Sequence, residues 1–312
     1  MPELRVGERR VSVDAAGNLL DALLGAGIAV PYSCRAGSCQ ACMVRCLAGE
    51  PLDEKPEALD QARRQQGWRL ACQCRVIDDL QIQVFDPRND GIPAQIQACD
   101  WLSEHVLRLR LLPQQAVRYR AGQHLLLWTA DAIARPYSLA SLPQEDSFLE
   151  FHVDCRQPGA FSDAARQFRV GEPLRLGTSS GGALHYDPDW QARPLWLLGA
   201  GTGLAPLYAI LREALRQSHQ GPIRVLHVAR SPGGHYLADS LLELAEHHPH
   251  LQLDLIDTAA LPDALAALRP GSRQTIALAC GGPDTVEAIA RRLYLAGLPR
   301  SQLFSELFLP HA

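Results

Sequence analysis

The sequence has 312 residues and lacks a large excess of charge of either sign. Its 30 Lys and Arg residues stand against 34 Asp and Glu residues, so the basic surplus of a nucleic-acid-binding protein is missing. It has no internal repeat and no low-complexity tract. With 47% hydrophobic and 21% charged residues, the composition is that of an ordinary globular protein. These observations exclude a disordered chain, a collagen-like fibre and a coiled coil.

Long hydrophobic runs are scarce as well. The stretch 195–211 carries no charge over 17 residues, whereas a bilayer span needs about 20 apolar residues. Gly199, Gly201, Gly203 and Pro206 interrupt it, so a buried strand, a glycine turn and a helix start explain it better. The first residues show no apolar run behind a basic stretch, so no signal peptide is expected. We therefore expect a cytoplasmic protein that spans no membrane.

Cysteine, by contrast, is abundant, with nine residues. In a reducing compartment, cysteines are usually buried, metal-binding or catalytic rather than paired in disulfides. Six of the nine lie within the first 86 residues: Cys34, Cys39, Cys42, Cys46, Cys72 and Cys74. The chain length allows about two domains of ~150 residues, or three smaller ones.

Hydrophobic patterns divide the chain into three stretches. Residues 1–86 carry alternating runs at 4–13 and 80–85 and a helical pattern at 18–29, which Pro31 ends. Residues 87–93 are polar and rich in turn formers, which indicates a linker. Residues 94–190 hold short strand-like runs, as in a small antiparallel barrel, at 107–112, 124–128, 148–153 and 173–176. Residues 191–312 alternate helical segments with apolar runs, which indicates a parallel α/β sheet; the runs are 195–198, 223–228, 251–256 and 275–279.

Three cysteines, Cys34, Cys39 and Cys42, have the spacing C-x4-C-x2-C, and a fourth cysteine follows about thirty residues later. This is the spacing of plant-type [2Fe–2S] ferredoxins, in which four thiolates complete the sulfur coordination of two irons. A structural zinc site is the alternative, but zinc favours two C-x2-C pairs and the second pair is missing. The remaining cysteines outside this pattern, Cys46, Cys99 and Cys155, are expected to be ordinary buried thiols.

The fourth iron ligand is either Cys72 or Cys74. In the ferredoxins that this segment resembles, the fourth ligand precedes an Asp by seven positions, and a final strand follows. Cys72, followed by Asp79 and the run 80–84, matches that register. We therefore predict the ligand set Cys34, Cys39, Cys42 and Cys72.

A second motif, Arg135-Pro136-Tyr137-Ser138, follows the apolar run 125–128. It resembles the flavin motif of the ferredoxin–NADP reductase superfamily. The resemblance implies that Arg135 binds a phosphate, that Tyr137 lies against the flavin ring and that Ser138 bonds near flavin N5. Residues 158–162 resemble the Gly-Gly-x-x-Ser segment that holds the flavin pyrophosphate, with Pro158 in place of the first glycine. The further flavin contacts that we expect are His152, Val153, Gly159, Ala160, Phe161 and Ser162.

The third motif, Gly199-Ala200-Gly201-Thr202-Gly203, follows a predicted strand and opens a predicted helix. The dinucleotide fingerprint G-x-G-x-x-G fails here, because its last position is Leu204 or Pro206. The form G-x-G-T-G-x-x-P instead resembles the NAD(P)H domain of the same superfamily. It implies that Gly201, Thr202, Gly203 and Pro206 bind the nucleotide, whose pyrophosphate approaches the glycines and a helix N-terminus.

The rest of this stretch matches the same superfamily. Arg230 and Ser231 follow the second predicted strand, where the family binds the adenosine ribose. Cys280 and Gly281 resemble its Cys-Gly-Pro segment near the nicotinamide, although a plain core thiol stays an alternative for Cys280. Glu306 and Phe308 resemble its C-terminal Glu-x-Phe pattern beside the flavin. The resemblance thus gives Ser138, Cys280 and Glu306 as catalytic residues.

The choice between NADH and NADPH stays open at the sequence level. Arg230 could bind a 2′-phosphate, and no acidic residue is placed there for a ribose hydroxyl. We expect NADH, because the domain order resembles that of oxygenase reductases.

The resemblance covers nearly the whole chain and implies a multidomain α+β and α/β fold. It consists of a β-grasp [2Fe–2S] ferredoxin domain (1–86), a linker (87–93), an antiparallel FAD-binding β-barrel (94–190) and a parallel α/β NAD(P)H-binding domain (191–312). This order is similar to reductases of benzoate-type dioxygenases, soluble monooxygenases and sugar-nucleotide deoxygenation. It implies an oxidoreductase that passes electrons from NAD(P)H through FAD and a [2Fe–2S] cluster to an acceptor metalloprotein such as an oxygenase component.

Two other functions stay open: a redox-sensing regulatory protein, and a reductase of a small molecule bound at the flavin. We expect a monomer with no nucleic-acid partner. The histidines at 247, 248 and 250 could suggest a metal site, but a solvated helix end is the preferred interpretation.

Overall fold

The structure is a computed structural model, and it describes residues 1–181 and 183–309. Contacts divide the chain into two compact units. The first unit consists of Met1–Pro93, Leu126–Pro136 and Arg175–Ser180, and the second contains the rest of the described chain. Within those described ranges, no helix is both long and apolar enough to cross a membrane.

The N-terminal segment forms a five-stranded sheet in the order β2-β1-β8-β4-β6 and a small sheet in the order β3-β7-β5. Its first and last strands are parallel neighbours, with Leu4 opposite Leu80, which is the β-grasp arrangement predicted from the sequence. The strands are β1 (Glu3–Val6), β2 (Arg9–Ser12), β3 (Gly17–Asn18), β4 (Met43–Ala48), β5 (Leu52–Asp53), β6 (Trp68–Leu70), β7 (Cys74–Val76) and β8 (Leu80–Val84). The helices are α1 (Leu19–Gly25), α2 (Gln61–Gln65) and α3 (Pro87–Asp90).

Helix α1 begins where Asn18 accepts a hydrogen bond from the amide of Asp21, which satisfies a free N–H of the first turn. It ends earlier than the predicted residue 29. Gly27 has a φ of +68° just beyond the helix, a left-handed conformation that ends helices. Three leucines of α1, at positions 19, 20 and 23, are fully buried in the core of this unit. The same core includes Leu126 and Trp128.

The segment predicted as a linker is ordered. Helix α3 occupies most of it, because Asp86 caps the amide of Arg88 at 3.0 Å and Pro87 stands at the first helical position. The next strand already begins at Ile92. The domain boundary at residues 87–93 therefore stays a prediction.

The middle of the chain forms a six-stranded sheet in the order β12-β11-β14-β9-β10-β13. Antiparallel pairs build it, for example β10 with β13, where Leu107 lies opposite Val153. The strands are β9 (Ile92–Trp101), β10 (Val106–Pro113), β11 (His124–Trp128), β12 (Ala134–Ser138), β13 (Leu149–Asp154) and β14 (Pro173–Ser180), and helix α4 spans Ala160–Ala165. These antiparallel strands agree with the antiparallel barrel that the sequence predicted.

The C-terminal part is a five-stranded sheet in the order β17-β16-β15-β18-β19, in which every pair is parallel. The strands are β15 (Leu195–Ala200), β16 (Ile223–Ala229), β17 (Leu251–Asp257), β18 (Ile276–Gly281) and β19 (Leu303–Leu307). The helices are α5 (Leu204–Arg216), α6 (Ala238–His247), α7 (Leu261–Ala267) and α8 (Pro283–Leu295). Ligands of such sheets bind outside the carboxyl ends of the strands, and the motifs at 199–206, 230–231 and 280–281 all lie at these ends or just beyond them. The predicted fold class is confirmed.

Candidate functional site

The thiol loop between Pro31 and Cys42 contains three of the predicted ligands. Its backbone is left-handed at Arg35 and Gly37, which lets amide groups turn toward sulfur. The amides of Ala36 and Cys39 both donate to Cys34 Sγ at 3.3 Å, and the Cys34 amide lies 3.5 Å from Cys39 Sγ. Cys34 and Cys39 therefore form one thiol pair.

Cys72 joins the loop from a short turn, Ala71–Gln73, and forms a second pair with Cys42 through a side-chain hydrogen bond. Two contacts hold this turn in place. Gln73 Nε2 donates to Cys72 Sγ at 3.3 Å, and Asn18 Nδ2 donates to the carbonyl oxygen of Cys72 at 3.0 Å. The four predicted ligands are thus arranged as two pairs.

The hydrogen bonds within the pairs favour thiolate on one member of each. The bond from Cys39 and further amide donors lower the pKa of Cys34 to about 4, and the bond from Cys42 lowers the pKa of Cys72 to about 7. Cys74 is different, because burial, followed by the charges of Asp53 and Cys46, raises its pKa. The geometry supports Cys72 over Cys74 as the fourth ligand.

These residues fit a two-iron cluster. Each iron of a [2Fe–2S] cluster takes two protein thiolates, and the loop together with Cys72 offers two thiol pairs. Amide N–H groups already point at sulfur, as hydrogen-bonded clusters require. The outer side of the loop, at Arg35, Ala36 and Ser38, is exposed.

The predicted flavin residues lie on β12 and around α4. The Tyr137 and Phe161 rings are tilted by 46° with centroids 4.9 Å apart, and Ser138, at the end of β12, is buried. Ser162 Oγ donates within its own turn, to the carbonyl oxygens of Gln157 and Gly159. The hydroxyl predicted to hold a phosphate therefore also shapes the loop.

The other residues predicted to contact the flavin, Arg135, His152 and Val153, have different surroundings in the structure. The Arg135 guanidinium donates to the neighbouring Ala134 carbonyl oxygen. His152 and Val153 are buried on β13. Both ring nitrogens of His152 have protein partners, Glu150 at 3.0 Å and the Tyr236 hydroxyl at 3.2 Å. The flavin contact of His152 stays a prediction, since the structure gives this side chain a second, structural role.

The predicted catalytic pair Cys280 and Glu306 lies on neighbouring parallel strands, directly opposite in register. Burial, followed by the charge of Glu306, raises the pKa of Cys280, so its thiol stays protonated. His124 Nδ1 lies 3.3 Å from Glu306 Oε1. Neither His124 ring nitrogen nor Glu306 Oε2 forms a hydrogen bond within the described residues, although all three atoms are buried. Such atoms require a polar partner, and a flavin edge would supply one.

The glycine loop after β15 has the shape expected of a phosphate-binding turn. Gly201 has a φ of +55°, and a Cβ atom there would meet nothing within 4 Å. A Cβ atom on Gly203 would lie 2.2 Å from the Cys280 carbonyl oxygen, so only glycine fits. Thr202 follows in a 3₁₀ turn, and Pro206 lies in the first turn of α5. The structure thus places the loop predicted for the nucleotide directly against the end of β18, beside Cys280 and Gly281.

The other residues predicted to bind the nucleotide or the flavin, Arg230, Ser231 and Phe308, lie just beyond strand ends of the C-terminal parallel sheet. Arg230 and Ser231 are exposed just beyond β16, and the Phe308 amide donates to the Gly281 carbonyl oxygen at 2.8 Å. Of the histidines at 247, 248 and 250, the rings of the last two meet edge to face with centroids 5.9 Å apart, and His247 Nδ1 contacts the carbonyl oxygen of Glu243, one turn back in α6. This contact agrees with the helix-end interpretation.

Comparison with known proteins covers all three parts of the chain. Residues 4–76 match the 2Fe-2S iron-sulfur cluster binding domain, 95–186 the oxidoreductase FAD-binding domain and 197–291 the oxidoreductase NAD-binding domain. The reductase subunit of an Amycolatopsis aromatic O-demethylase is 30% identical over 98% of both chains. The chain belongs to the ferredoxin–NADP reductase superfamily, in its oxygenase-reductase type.

Other relatives agree with this membership. The ferredoxin–NAD(P)⁺ reductase component of the Pseudomonas putida naphthalene 1,2-dioxygenase system is 29% identical over 98% of both chains. The crystal structure of an Amycolatopsis cytochrome P450 reductase covers 99% of both chains with a TM-score of 0.66 and 26% identity. The predictions of an oxidoreductase with a [2Fe–2S] cluster, FAD and NAD(P)H as its redox groups are confirmed. This superfamily member transfers electrons from NAD(P)H through FAD and the cluster.

Sequence reasoning missed three histidines that the structure places near predicted sites: His124, His227 and His235. The first starts the otherwise apolar strand β11, and the second interrupts the apolar strand β16. A polar residue within a fully buried run was the available signal.

Proposed function

We propose that this chain is the reductase component of a two-protein or multi-protein system, and that it delivers single electrons to a partner metalloprotein such as an oxygenase. The thiol loop carries the proposal. Together with Cys72 it provides two cysteine pairs for a one-electron centre, and its outer rim, at Arg35, Ala36 and Ser38, is exposed. Its full-length relatives named as reductase components support the same role.

Different residues of the chain would bind the nucleotide, cover the flavin and handle the proton. FAD, when bound, accepts an electron pair from the nicotinamide and releases electrons singly, which links NAD(P)H to a one-electron centre. Gly201, Thr202 and Gly203 would hold the nucleotide phosphates at the start of α5. Glu306, with His124 beside it, would hold or release a proton at its carboxylate, next to the Cys280 thiol. Tyr137 would cover the flavin ring and exclude water.

The first experiment is an anaerobic titration of the purified protein with NADH and with NADPH. Both the flavin and the cluster absorption bands are expected to bleach. A cluster that stays oxidised with both nucleotides would refute electron delivery through it. The reduced protein should then reduce cytochrome c; negligible turnover with cytochrome c and ferricyanide would instead favour a redox sensor.

A matched pair of variants tests the ligand set. Cys72→Ser should lose the cluster bands and most cytochrome c reduction, while ferricyanide reduction at the flavin continues. Cys74→Ser should keep the cluster, because Cys72, and not Cys74, forms the side-chain hydrogen bond with Cys42. Full activity of Cys72→Ser with the physiological acceptor would favour a small-molecule reductase.

We also propose NADH as the preferred donor. The domain order, which resembles that of oxygenase reductases, supports this choice. Arg230 is exposed beyond β16, where it would bind the 2′-phosphate that NADPH carries and NADH lacks. Arg230→Ala should therefore weaken NADPH binding and leave NADH binding unchanged. A wild-type protein that binds NADPH more tightly than NADH would contradict this assignment.

The proposed organisation is a cytoplasmic monomer with domains at 1–86, 94–190 and 191–312. The three family matches lie within these limits. Size-exclusion chromatography with light scattering tests the monomer, and a mass near twice 34.2 kDa would contradict it. Limited proteolysis between 87 and 93 tests the first boundary.

A further inference from the structure

Two histidines beside the nucleotide loop are absent from every role described so far. His227, on β16, is 0% exposed, and its Nε2 atom lies 3.1 Å from the carbonyl oxygen of Gly201. Its other ring nitrogen, Nδ1, lies 3.1 Å from Nδ1 of His235. The two rings meet edge to face at 76°, with centroids 5.0 Å apart.

These contacts admit one arrangement of protons. A backbone carbonyl only accepts hydrogen bonds, so His227 Nε2 carries a hydrogen. Burial, followed by the nearby His235, lowers the pKa of His227 to about 4, so the ring is neutral at pH 7 and Nδ1 has no hydrogen. The bond between the two Nδ1 atoms then requires that His235 donates. The bond to the Gly201 carbonyl and the bond donated by His235 therefore favour the same tautomer of His227, with its hydrogen on Nε2.

The carbonyl that His227 holds belongs to the residue at the turn of the glycine loop. Gly201 has a left-handed φ of +55°, and its Cβ side is open. In an anion-binding turn the amide N–H groups face the anion, whereas a carbonyl oxygen facing it would repel the charge. The Gly201 carbonyl oxygen accepts one bond from the Leu204 amide within its own 3₁₀ turn, and the bond from His227 Nε2 adds a second partner on the side of β16.

We infer that His227 is a positioning residue for nucleotide binding, which holds the Gly201 carbonyl away from the diphosphate, and that His235 favours the tautomer His227 needs. The inference rests on the proposed assignment of residues 201–203 to the nucleotide. Neither histidine takes part in the electron transfer itself. Their removal should affect the affinity for NAD(P)(H) and not the limiting rate of flavin reduction.

Calorimetric titration of the holoprotein with NAD⁺ and with NADP⁺ measures the affinity without turnover. His227→Leu should weaken binding of the preferred nucleotide roughly 3- to 10-fold, the range of one lost hydrogen bond. His227→Gln should remain within about twofold of wild type, because its amide nitrogen reaches the position of Nε2 and can still donate. The limiting rate of flavin reduction by stopped flow should stay within about twofold in both variants.

The matched control is His219→Leu. His219 is also a buried histidine, with its Nδ1 atom 2.9 Å from the Tyr186 hydroxyl, but it contacts no residue of the glycine loop in any described hydrogen bond. Its loss should leave the nucleotide affinity unchanged. Unchanged affinity in His227→Leu, or equal losses in His227→Gln and His227→Leu, would overturn the inference.

A spectroscopic readout tests the geometry without nucleotide. In histidine-labelled protein, nitrogen NMR should show hydrogen on Nε2 of His227 and on Nδ1 of His235, and the opposite tautomers would refute the arrangement. Results that refute the proposed function differ from results that refute this inference. A wild-type protein that binds NAD⁺ or NADP⁺ but is reduced by neither NADH nor NADPH would refute the function and leave the affinity test standing.

Discussion

Replacement of Glu150 by Gln tests the buried charge network of the barrel. Glu150, on β13, has a side chain that is 9% exposed, and it contacts Arg110 Nε at 2.6 Å and His152 Nε2 at 3.0 Å. Burial opposes ionisation of this carboxyl group, but hydrogen bonds and charges from His152 and Arg110 outweigh burial and lower its pKa to about 2. The variant Glu150→Gln keeps the shape and removes the charge.

The size of the stability loss follows from the shift in the pKa of Glu150. The fall from the ordinary value of 4.5 to about 2 corresponds to about 3 kcal/mol of unfolding free energy at neutral pH. Because the pKa of the folded state is depressed, this contribution is fully present above pH 4.5 and is lost as the pH falls through 2. At pH 3, about 1.4 kcal/mol of it should remain.

Urea unfolding at several pH values, followed by tryptophan fluorescence, measures the effect. At pH 7, Glu150→Gln should be about 3 kcal/mol less stable than wild type, and the difference should shrink steadily below about pH 4.5. Glu145→Gln is the control, because this carboxylate forms a more exposed pair with Arg212 at 3.4 Å and should change stability by less than about 1 kcal/mol. Equal effects of the two variants, or a difference that does not depend on pH, would refute the reasoning.

Two further predictions concern the nucleotide loop and the thiol site. Gly203→Ala should abolish NAD(P)H binding, because its Cβ atom would lie 2.2 Å from the Cys280 carbonyl oxygen, whereas Gly233→Ala has no neighbour within 4 Å and should bind normally. Titration calorimetry checks both, and normal binding by Gly203→Ala would contradict the packing argument. Asn18→Ala should cost about 1 kcal/mol at the α1 cap and release the Cys72 carbonyl, so the cluster absorption should decay faster under a chelator. Decay at the wild-type rate would show that this contact is dispensable.

Local patterns in the sequence were enough to predict most of the strands. The run predicted at 124–128 is strand β11 with the same bounds, and the run at 195–198 is the first part of β15. Both are almost wholly apolar, short, and bounded by polar or turn-forming residues, so their length and flanking residues, rather than any periodicity, predict buried strands. The first alternating run, 4–13, is instead a hairpin of β1 and β2, because Gly7 turns the chain with a φ of +60°.

The hydrogen-bond partners within the site could not be predicted, because motif spacing does not show which distant residues come into contact. The motif residues could be named because cysteine and glycine spacings follow from coordination and backbone geometry. The bonds from His227 to Gly201, and from His152 to Tyr236, join residues 26 and 84 positions apart. Their partners are chosen by tertiary packing, and single polar residues in apolar runs do not indicate their partners.

The position of β8 also has a consequence for how the protein is made. In the sheet order β2-β1-β8-β4-β6, the strand synthesised last is the central one, and it joins β1 from 76 residues earlier. On a ribosome that adds about 5–20 residues per second, the two halves of this sheet must wait several seconds without their middle. Cys72 emerges in the same interval, only a few residues before β8. Assembly of the iron–sulfur module therefore has to follow the synthesis of β8, when residues 85–312 are still to be made, and factors that deliver iron and sulfur would then meet all five strands of this sheet.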